Sequence, residues 1–330
     1  MYDAFGAYLD SLRQQAGIPG LAAAIVDLDG IAWEQAYGRQ HVDRGIPTRT
    51  DTPFNAEGLT QVFTAAMVLQ CVEQGRLSLD DRIGNFNVET VEPDATIRQL
   101  LTHTSGAPES LNFLYRPQRL EPLWRILRTC TVDSYREAFA NLLKQHAMTD
   151  SVPGANIVNV RAPLEGVPFP EDVERYTSIL ARRAAPYAVD GRGRAFGSSF
   201  PPGAEVLTAS SGLITTVRDL AIFDSDLRRG LLQISPETLT SAWSPPRGSD
   251  GLALPHGIGW FVQDYKGEKV VWQFGMIEDA SSSLMITLPS RGLTLIMMAN
   301  SDRLVKQFSP VKGDISLSPF ARLFLNLFVR

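Results

Sequence analysis

Phe54-Asn55-Ala56-Glu57-Gly58-Leu59-Thr60-Gln61-Val62-Phe63-Thr64-Ala65 opens a run that stays apolar on most of its faces as far as Gly75. A surface helix would carry a polar stripe, so this segment reads as a helix from Leu59 to Gly75 buried on all sides. Gly58 stands near the helix start, where glycine is tolerated at little cost relative to good capping residues. The entrance to this helix is chemically bare. Gly58 has no side-chain atom that can attack a carbonyl, and Gln61 cannot take up a proton as a neutral lysine amine does.

Outward from this helix the chain alternates elements. Tyr2 to Gln15 has helical periodicity, and Leu21–Val26 with Ile31–Tyr37 reads as a strand pair around the turn Asp27-Leu28-Asp29-Gly30. Helical segments and Pro/Gly-rich loops follow from about Asp80 to Pro202. Beyond Gly203 come a helix near Val217–Arg229, strands at Gly257–Val262, Lys269–Phe274, Ser281–Leu288 and Leu293–Asn300, and a closing helix over Pro319–Val329.

Ile97-Arg98-Gln99-Leu100-Leu101-Thr102-His103-Thr104-Ser105-Gly106-Ala107-Pro108 resembles the Leu-Leu-Thr-His-Thr-Ser-Gly-x-Pro segment of serine β-lactamases of class C, D-alanyl-D-alanine carboxypeptidases and related esterases. Ile18–Ala22, Gly75–Asp81, Met148–Ser151, Gly212–Ala221 and Gly257–Trp260 are similar to further segments of that family, in its order. The resemblance implies a β-lactamase/transpeptidase-like α/β fold: an antiparallel sheet flanked by helices, built from residues 1–80 and 203–330, with an all-helical domain, 81–202, inserted. The pocket would lie between the two.

Set against the family's chemistry, the chain departs at each of three motifs. Gly58 and Gln61 occupy the serine and lysine positions of Ser-x-x-Lys. Tyr115-Arg116-Pro117 matches Tyr-x-Asn with the asparagine lost, and proline offers neither a side-chain amide nor a backbone donor. Phe274-Gly275-Met276 stands where a lysine or histidine would meet a substrate carboxylate. Without the serine, a buried ammonium is a liability, which a neutral glutamine relieves. A literal Ser309-Pro310-Val311-Lys312 has no buried helix behind it and reads as coincidence.

The composition narrows the classes. The chain has 330 residues, 44% of them hydrophobic, and a net charge of −5, which suits a large globular core and argues against nucleic-acid binding. No apolar run approaches the roughly 18 residues needed to span a bilayer. Met1-Tyr2-Asp3-Ala4-Phe5 lacks the basic start and apolar core of a signal peptide, so the expected location is the cytosol. Cys71 and Cys130 are too few for a disulfide framework and each lies in an apolar helical segment, so they are expected as buried free thiols. His41, His103, His146 and His256 are scattered without metal spacing, so neither metal nor cofactor is expected.

Tyr115 is the leading acid/base candidate, with a packing tyrosine as the alternative. Gln61 and Glu278 complete the expected catalytic set. Gly58, Glu57, Phe274, Gly275, Met276, Asp279 and Arg116 are the expected substrate contacts, although carboxylates at loop edges such as Glu57, Glu278 and Asp279 are more often plain surface residues. His103 reads as structural. Arg182-Arg183 with Arg192 and Arg194 forms a basic cluster that would suit an acyl carrier or phosphate-bearing group, or only solvent. The expected function is a small-molecule reaction without an acyl-enzyme, such as cyclisation, isomerisation or elimination in specialised metabolism. The alternatives are a non-catalytic ligand- or protein-binding pseudoenzyme and, were the motifs misaligned, an ordinary serine hydrolase.

Overall fold

The computed structural model describes residues 1–108, 111–159 and 170–329. The main sheet has seven strands, and every adjacent pair in it is antiparallel. Its members are β1 (Gly20–Val26), β2 (Ile31–His41) and β3 (Ile46–Pro47) from the start of the chain. A small second sheet takes β4 (Phe54–Asn55) and β5 (Val152–Pro153), a hairpin is formed by β6 (Tyr187–Val189) and β7 (Ala195–Gly197), and β8 (Leu213–Thr215) completes the second sheet in the order β4-β8-β5. The main sheet then resumes with β9 (Phe261–Tyr265), β10 (Glu268–Ile277), β11 (Ser281–Leu288) and β12 (Leu293–Ala299), giving the order β3-β2-β1-β12-β11-β10-β9.

The helices are α1 (Tyr2–Gln15), α2 (Thr60–Glu73), α3 (Ile97–Leu101), α4 (Leu123–Ile126), α5 (Tyr135–Gln145), α6 (Pro170–Ala181), α7 (Val217–Arg228), α8 (Pro236–Ala242) and α9 (Pro319–Phe328). Side chains alternate across a strand, so β1 sends Leu21, Ala23 and Ile25 to one face and Ala22, Ala24 and Val26 to the other. The first set packs with Phe5 and Leu9 of α1 and Phe320, Phe324 and Leu325 of α9. The second packs with Val62, Phe63 and Ala66 of α2 and Leu220 and Phe223 of α7. Burial on both faces explains why these strands read as near-continuous apolar runs.

Residues 81–202 contribute mostly helices, joined by β5 and by the β6–β7 hairpin. Leu100, Ile126 and Phe139 from this stretch share one core with α2 and α7. Two of the family-like segments meet here: the carboxylate of Asp219 accepts from the Ser151 hydroxyl at 2.6 Å and the Asp150 N–H at 2.9 Å.

Two expectations are corrected. Gly257–Trp260 is a turn rather than strand, closed by Gly257 N–H donating to the Trp260 carbonyl, and the strand begins at Phe261. A side chain on Gly259, whose φ is +86°, would strike the Ala65 side chain at 2.3 Å, so the glycine lets this turn dock on α2. Cys71 and Cys130 are joined in a disulfide, their Cα atoms 5.8 Å apart and 59 residues apart in sequence. The last turn of α2 carries Cys71 to the loop that follows α4, a proximity between distant segments that spacing along the chain does not reveal. Among the described residues no helix is long and apolar enough to cross a membrane.

Candidate functional site

The start of α2 is held by three hydrogen bonds from two strands. Ala56 N–H donates to the Leu213 carbonyl of β8, Ser283 of β11 donates its hydroxyl to the Ala56 carbonyl at 2.7 Å, and Leu213 N–H donates to the Thr60 hydroxyl at 3.2 Å. Gly58 sits in the single turn Glu57–Leu59 before the helix. Strand β10 lies directly against that turn. A Cβ on Gly58 would stand 2.3 Å from the Phe274 carbonyl oxygen, and one on Gly275 would stand 2.0 Å from the Ala56 carbonyl oxygen. The backbone therefore fills the place where a serine side chain would emerge.

On the other side of Gly58 opens a cavity of about 330 Å³, walled by Glu57, Gln61, Tyr115, Phe274, Gly275 and Met276 among the expected residues. Glu121, Gln118, Thr208, Ser210 and Ser211 line it as well. Motif matching misses these five; the hydroxyl run Thr208-Ala209-Ser210-Ser211, directly before Gly212, was the available signal.

Gln61 is fully buried and joins two motif residues. Its Nε2 donates to the Tyr115 hydroxyl at 2.8 Å, and its Oε1 lies 3.2 Å from His103 Nε2. The Arg116 N–H points at His103 Nδ1 at 3.4 Å, so Nδ1 is an acceptor and a neutral ring must carry its hydrogen on Nε2. Burial, aided by the neighbouring His256, holds the His103 pKa well below its ordinary value, which makes the ring neutral. The direction of the chain follows: Arg116 N–H to His103, His103 Nε2–H to Gln61 Oε1, Gln61 N–H to Tyr115. Tyr115 accepts from behind and keeps its own O–H for the cavity.

That phenol is the reverse of an activated one. Burial pushes its pKa above the ordinary tyrosine range, against the lowering contribution of the Gln61 hydrogen bond, and nearby Glu57 pushes it further up. Its ring is fixed among His103, Phe261 and Phe274, with centroids 4.6, 5.3 and 5.4 Å away. Tyr115 is thus built to donate a hydrogen bond while staying protonated.

Glu57 is not the exposed loop-edge carboxylate the sequence suggests. Its φ of +46° is a left-handed conformation uncommon for a residue with a side chain. Its Oε2 is buried without a hydrogen-bond partner among the described residues, and burial pushes its pKa up to about 7. Glu121 shares the cavity, its pKa also raised by burial and partly restrained by the Thr208 hydroxyl.

Three expected residues stand elsewhere. Strand β10 continues through Met276 and Ile277, which carries Glu278 and Asp279 to the tip of the β10–β11 hairpin. There Lys306 Nζ pairs with both carboxylates at 3.2 Å and with Asp302 at 2.9 Å, leaving neither on the cavity wall. Arg116 contributes its backbone N–H to His103, while its exposed side chain is not part of that wall. In the basic cluster, Arg182 pairs with Asp150, Arg183 with Glu205 and Arg194 with Asp190.

A buried helix whose first turn lies against strand β10 of a seven-stranded antiparallel sheet, with its Gln61 hydrogen-bonded to Tyr115 of a separate loop, is the site that this fold presents. The chain belongs to the Beta-lactamase family, whose sequence profile matches residues 5–152 and 164–310. Penicillin-binding protein 4 of Amycolatopsis lactamdurans is 37% identical over 103 residues, 29% of this chain and 27% of that protein. Protein flp of Staphylococcus aureus (strain NCTC 8325 / PS 47) is 21% identical over 325 residues, 87% of this chain. The chain spans only 60% of the length of flp. Among solved structures, the octameric penicillin-binding protein homologue from Pyrococcus abyssi superposes with a TM-score of 0.76 at 20% identity, covering 98% of this chain and 77% of that one. The D-amino acid amidase from Ochrobactrum anthropi SV3, complexed with L-phenylalanine amide, gives 0.73 at 17% identity, covering 98% of each. These likenesses concern the fold.

Proposed function

We propose that this β-lactamase-fold protein binds a small organic molecule in the Gly58 cavity and catalyses a proton-transfer step without an acyl-enzyme: an elimination, an isomerisation or a cyclisation. The observation that carries this reading is the Glu57 carboxyl, buried on the cavity wall with Oε2 unpartnered among the described residues, in a cavity that Tyr115 also lines. A carboxyl that changes charge near neutral pH is matched to general acid/base work. Glu57 takes the proton, Tyr115 donates to the oxygen on which negative charge develops, and Gln61 positions Tyr115.

5-Nitrobenzisoxazole tests it directly. Glu57 would remove the ring C–H proton as the N–O bond breaks, the C–H electron pair would complete a nitrile, and the released phenolate oxygen would accept from Tyr115. The coloured phenolate reports the rate. Turnover is expected to rise with pH through about 7 as Glu57 ionises, and Glu57→Gln is expected to lower it by roughly 10²–10⁴-fold. Full activity in Glu57→Gln, or no turnover above a free carboxylate by the unmodified protein, would overturn the proposal; the second outcome would favour a ligand-binding role.

A further inference from the structure

A second cavity, of about 290 Å³, adjoins the first, and Glu121 and Thr208 line both. Trp124, Val206 and Leu207 give it apolar surface, and Arg136 supplies a guanidinium. Arg136 is the second residue of α5, whose start is fixed by a reciprocal cap between Ser134 and Glu137, so its backbone position is rigid.

The charge of Arg136 is what sets this cavity apart. The other well-buried arginines among the described residues are each paired with a carboxylate: Arg228 with Asp224, Arg183 with Glu205, Arg119 with Glu92, Arg303 with Asp302, and Arg13 with Asp10. Arg136 has the neutral Asn156, to whose Oδ1 its Nη2 donates at 3.0 Å, and no carboxylate within ion-pair distance among the described residues. Burial lowers its pKa with no opposing anion. Glu121, on the shared wall, makes no ion pair with Arg136 among the described residues, and its polar contact is the Thr208 hydroxyl. A partly buried guanidinium without a carboxylate partner favours the arrival of an anion.

We propose that the cavity between Trp124 and Arg136 binds a carboxylate carried on an apolar body, with Arg136 taking the carboxylate and Trp124, Val206 and Leu207 taking the body. A planar guanidinium offers two parallel donors to a carboxylate, which favours it over a neutral amide of the same shape. The family's motif position for meeting an anion is Phe274, on the wall of the other cavity, so anion recognition lies on the helical side in this chain. Because the two cavities share a wall, a molecule anchored here can present its other end to Glu57 and Tyr115; that last step alone rests on the proposed function.

The test is a calorimetric titration of the full chain with 3-phenylpropionate and, separately, 3-phenylpropionamide. The acid is expected to bind roughly ten- to hundredfold tighter than the amide, the gain of a charge-assisted hydrogen bond. Arg136→Gln is expected to erase the difference. Val206→Trp, at an exposed rim position, should fill the cavity and abolish binding of both. Equal binding of acid and amide by the unmodified protein would overturn the site, as would an acid preference surviving Arg136→Gln or undiminished binding in Val206→Trp. The acid–amide comparison needs no variant to fold, and binding is read without turnover, so its result stands apart from that of the Glu57 elimination test.

Discussion

The two walls around Gly58 have opposite characters. On the sheet side, β10 comes so close to the Glu57–Leu59 turn that backbone carbonyls occupy the space of a side chain. On the helical side, a directed chain of hydrogen bonds from Arg116 through His103 and Gln61 reaches Tyr115, and Glu57 remains unsatisfied beside it. The difference teaches that the two walls constrain position 58 unlike one another. On the sheet side backbone fills the space of a side chain, whereas the helical side keeps polar groups joined by hydrogen bonds.

The largest effect is expected on the sheet side. Gly275→Ala drives a Cβ against the Ala56 carbonyl at 2.0 Å, and Gly58→Ser drives one against the Phe274 carbonyl at 2.3 Å. Backbone atoms cannot step aside as a flexible side chain can, so each substitution is expected to destabilise by about 3 kcal/mol or more, read by urea unfolding. Gly58→Ser combined with Gln61→Lys is expected to show neither rapid nitrocefin hydrolysis nor a covalent penicillin adduct by intact mass. Rapid turnover by that double variant would mean the strand yields easily, and the contrast between the walls would collapse.

Next in size is the tie between α2 and the helical side. The disulfide Cys71–Cys130 closes a loop across 59 residues, and replacing both cysteines by serine is expected to cost about 3 kcal/mol through the freed unfolded chain. Unchanged unfolding on reduction would show that packing alone holds that side.

These two cases also mark what the sequence could tell. The fold was legible because Leu100-Leu101-Thr102-His103-Thr104-Ser105-Gly106 is a local motif and because the strands and helices keep their own periods. Motif spacing likewise names Gly58, Gln61, Tyr115 and Phe274, and all four line one cavity. What spacing cannot carry is proximity between distant segments and the solvation of a side chain. The cysteine pairing depends on where α2 ends relative to the loop after α4. Glu57, beside the motif, looks like surface until the left-handed turn folds its carboxyl inward. Glu278 and Asp279 look like neighbours of Phe274 until the strand continues past it and delivers them to Lys306.

Glu57 offers a sharper probe of the helical side. Its carboxyl is raised from an ordinary 4.5 to about 7 by burial, so the folded state binds the proton more tightly than the unfolded chain. Stability from this group is fully present below about pH 4.5 and is lost as pH rises through about 7. Discounted for partial exposure, Glu57→Gln is expected to be more stable than the unmodified protein by about 2 kcal/mol at a pH of about 8, and equal to it at a pH of about 4. Urea unfolding at the two pH values decides it. A variant less stable at both would mean that Oε2 has a partner after all.

The smallest stability effect separates a donor from a packing ring. Tyr115→Phe keeps the ring among His103, Phe261 and Phe274 and removes only the oxygen that accepts from Gln61. One amide N–H beside the cavity then turns to water, so the expected loss of stability is about 1 kcal/mol. The elimination rate should respond more strongly, because the Tyr115 O–H meets charge that exists only in the transition state; a fall of roughly tenfold or more in kcat with little change in KM is the expected pattern. The pH profile distinguishes the two roles further. With Tyr115 held protonated by burial, its removal should lower the rate uniformly across neutral pH and leave the rise governed by Glu57 in place. A Tyr115→Phe variant with unaltered kcat would reduce the tyrosine to packing and leave Glu57 acting with shape alone, while loss of the rise near neutrality would tie the ionisation to the phenol instead of the carboxyl.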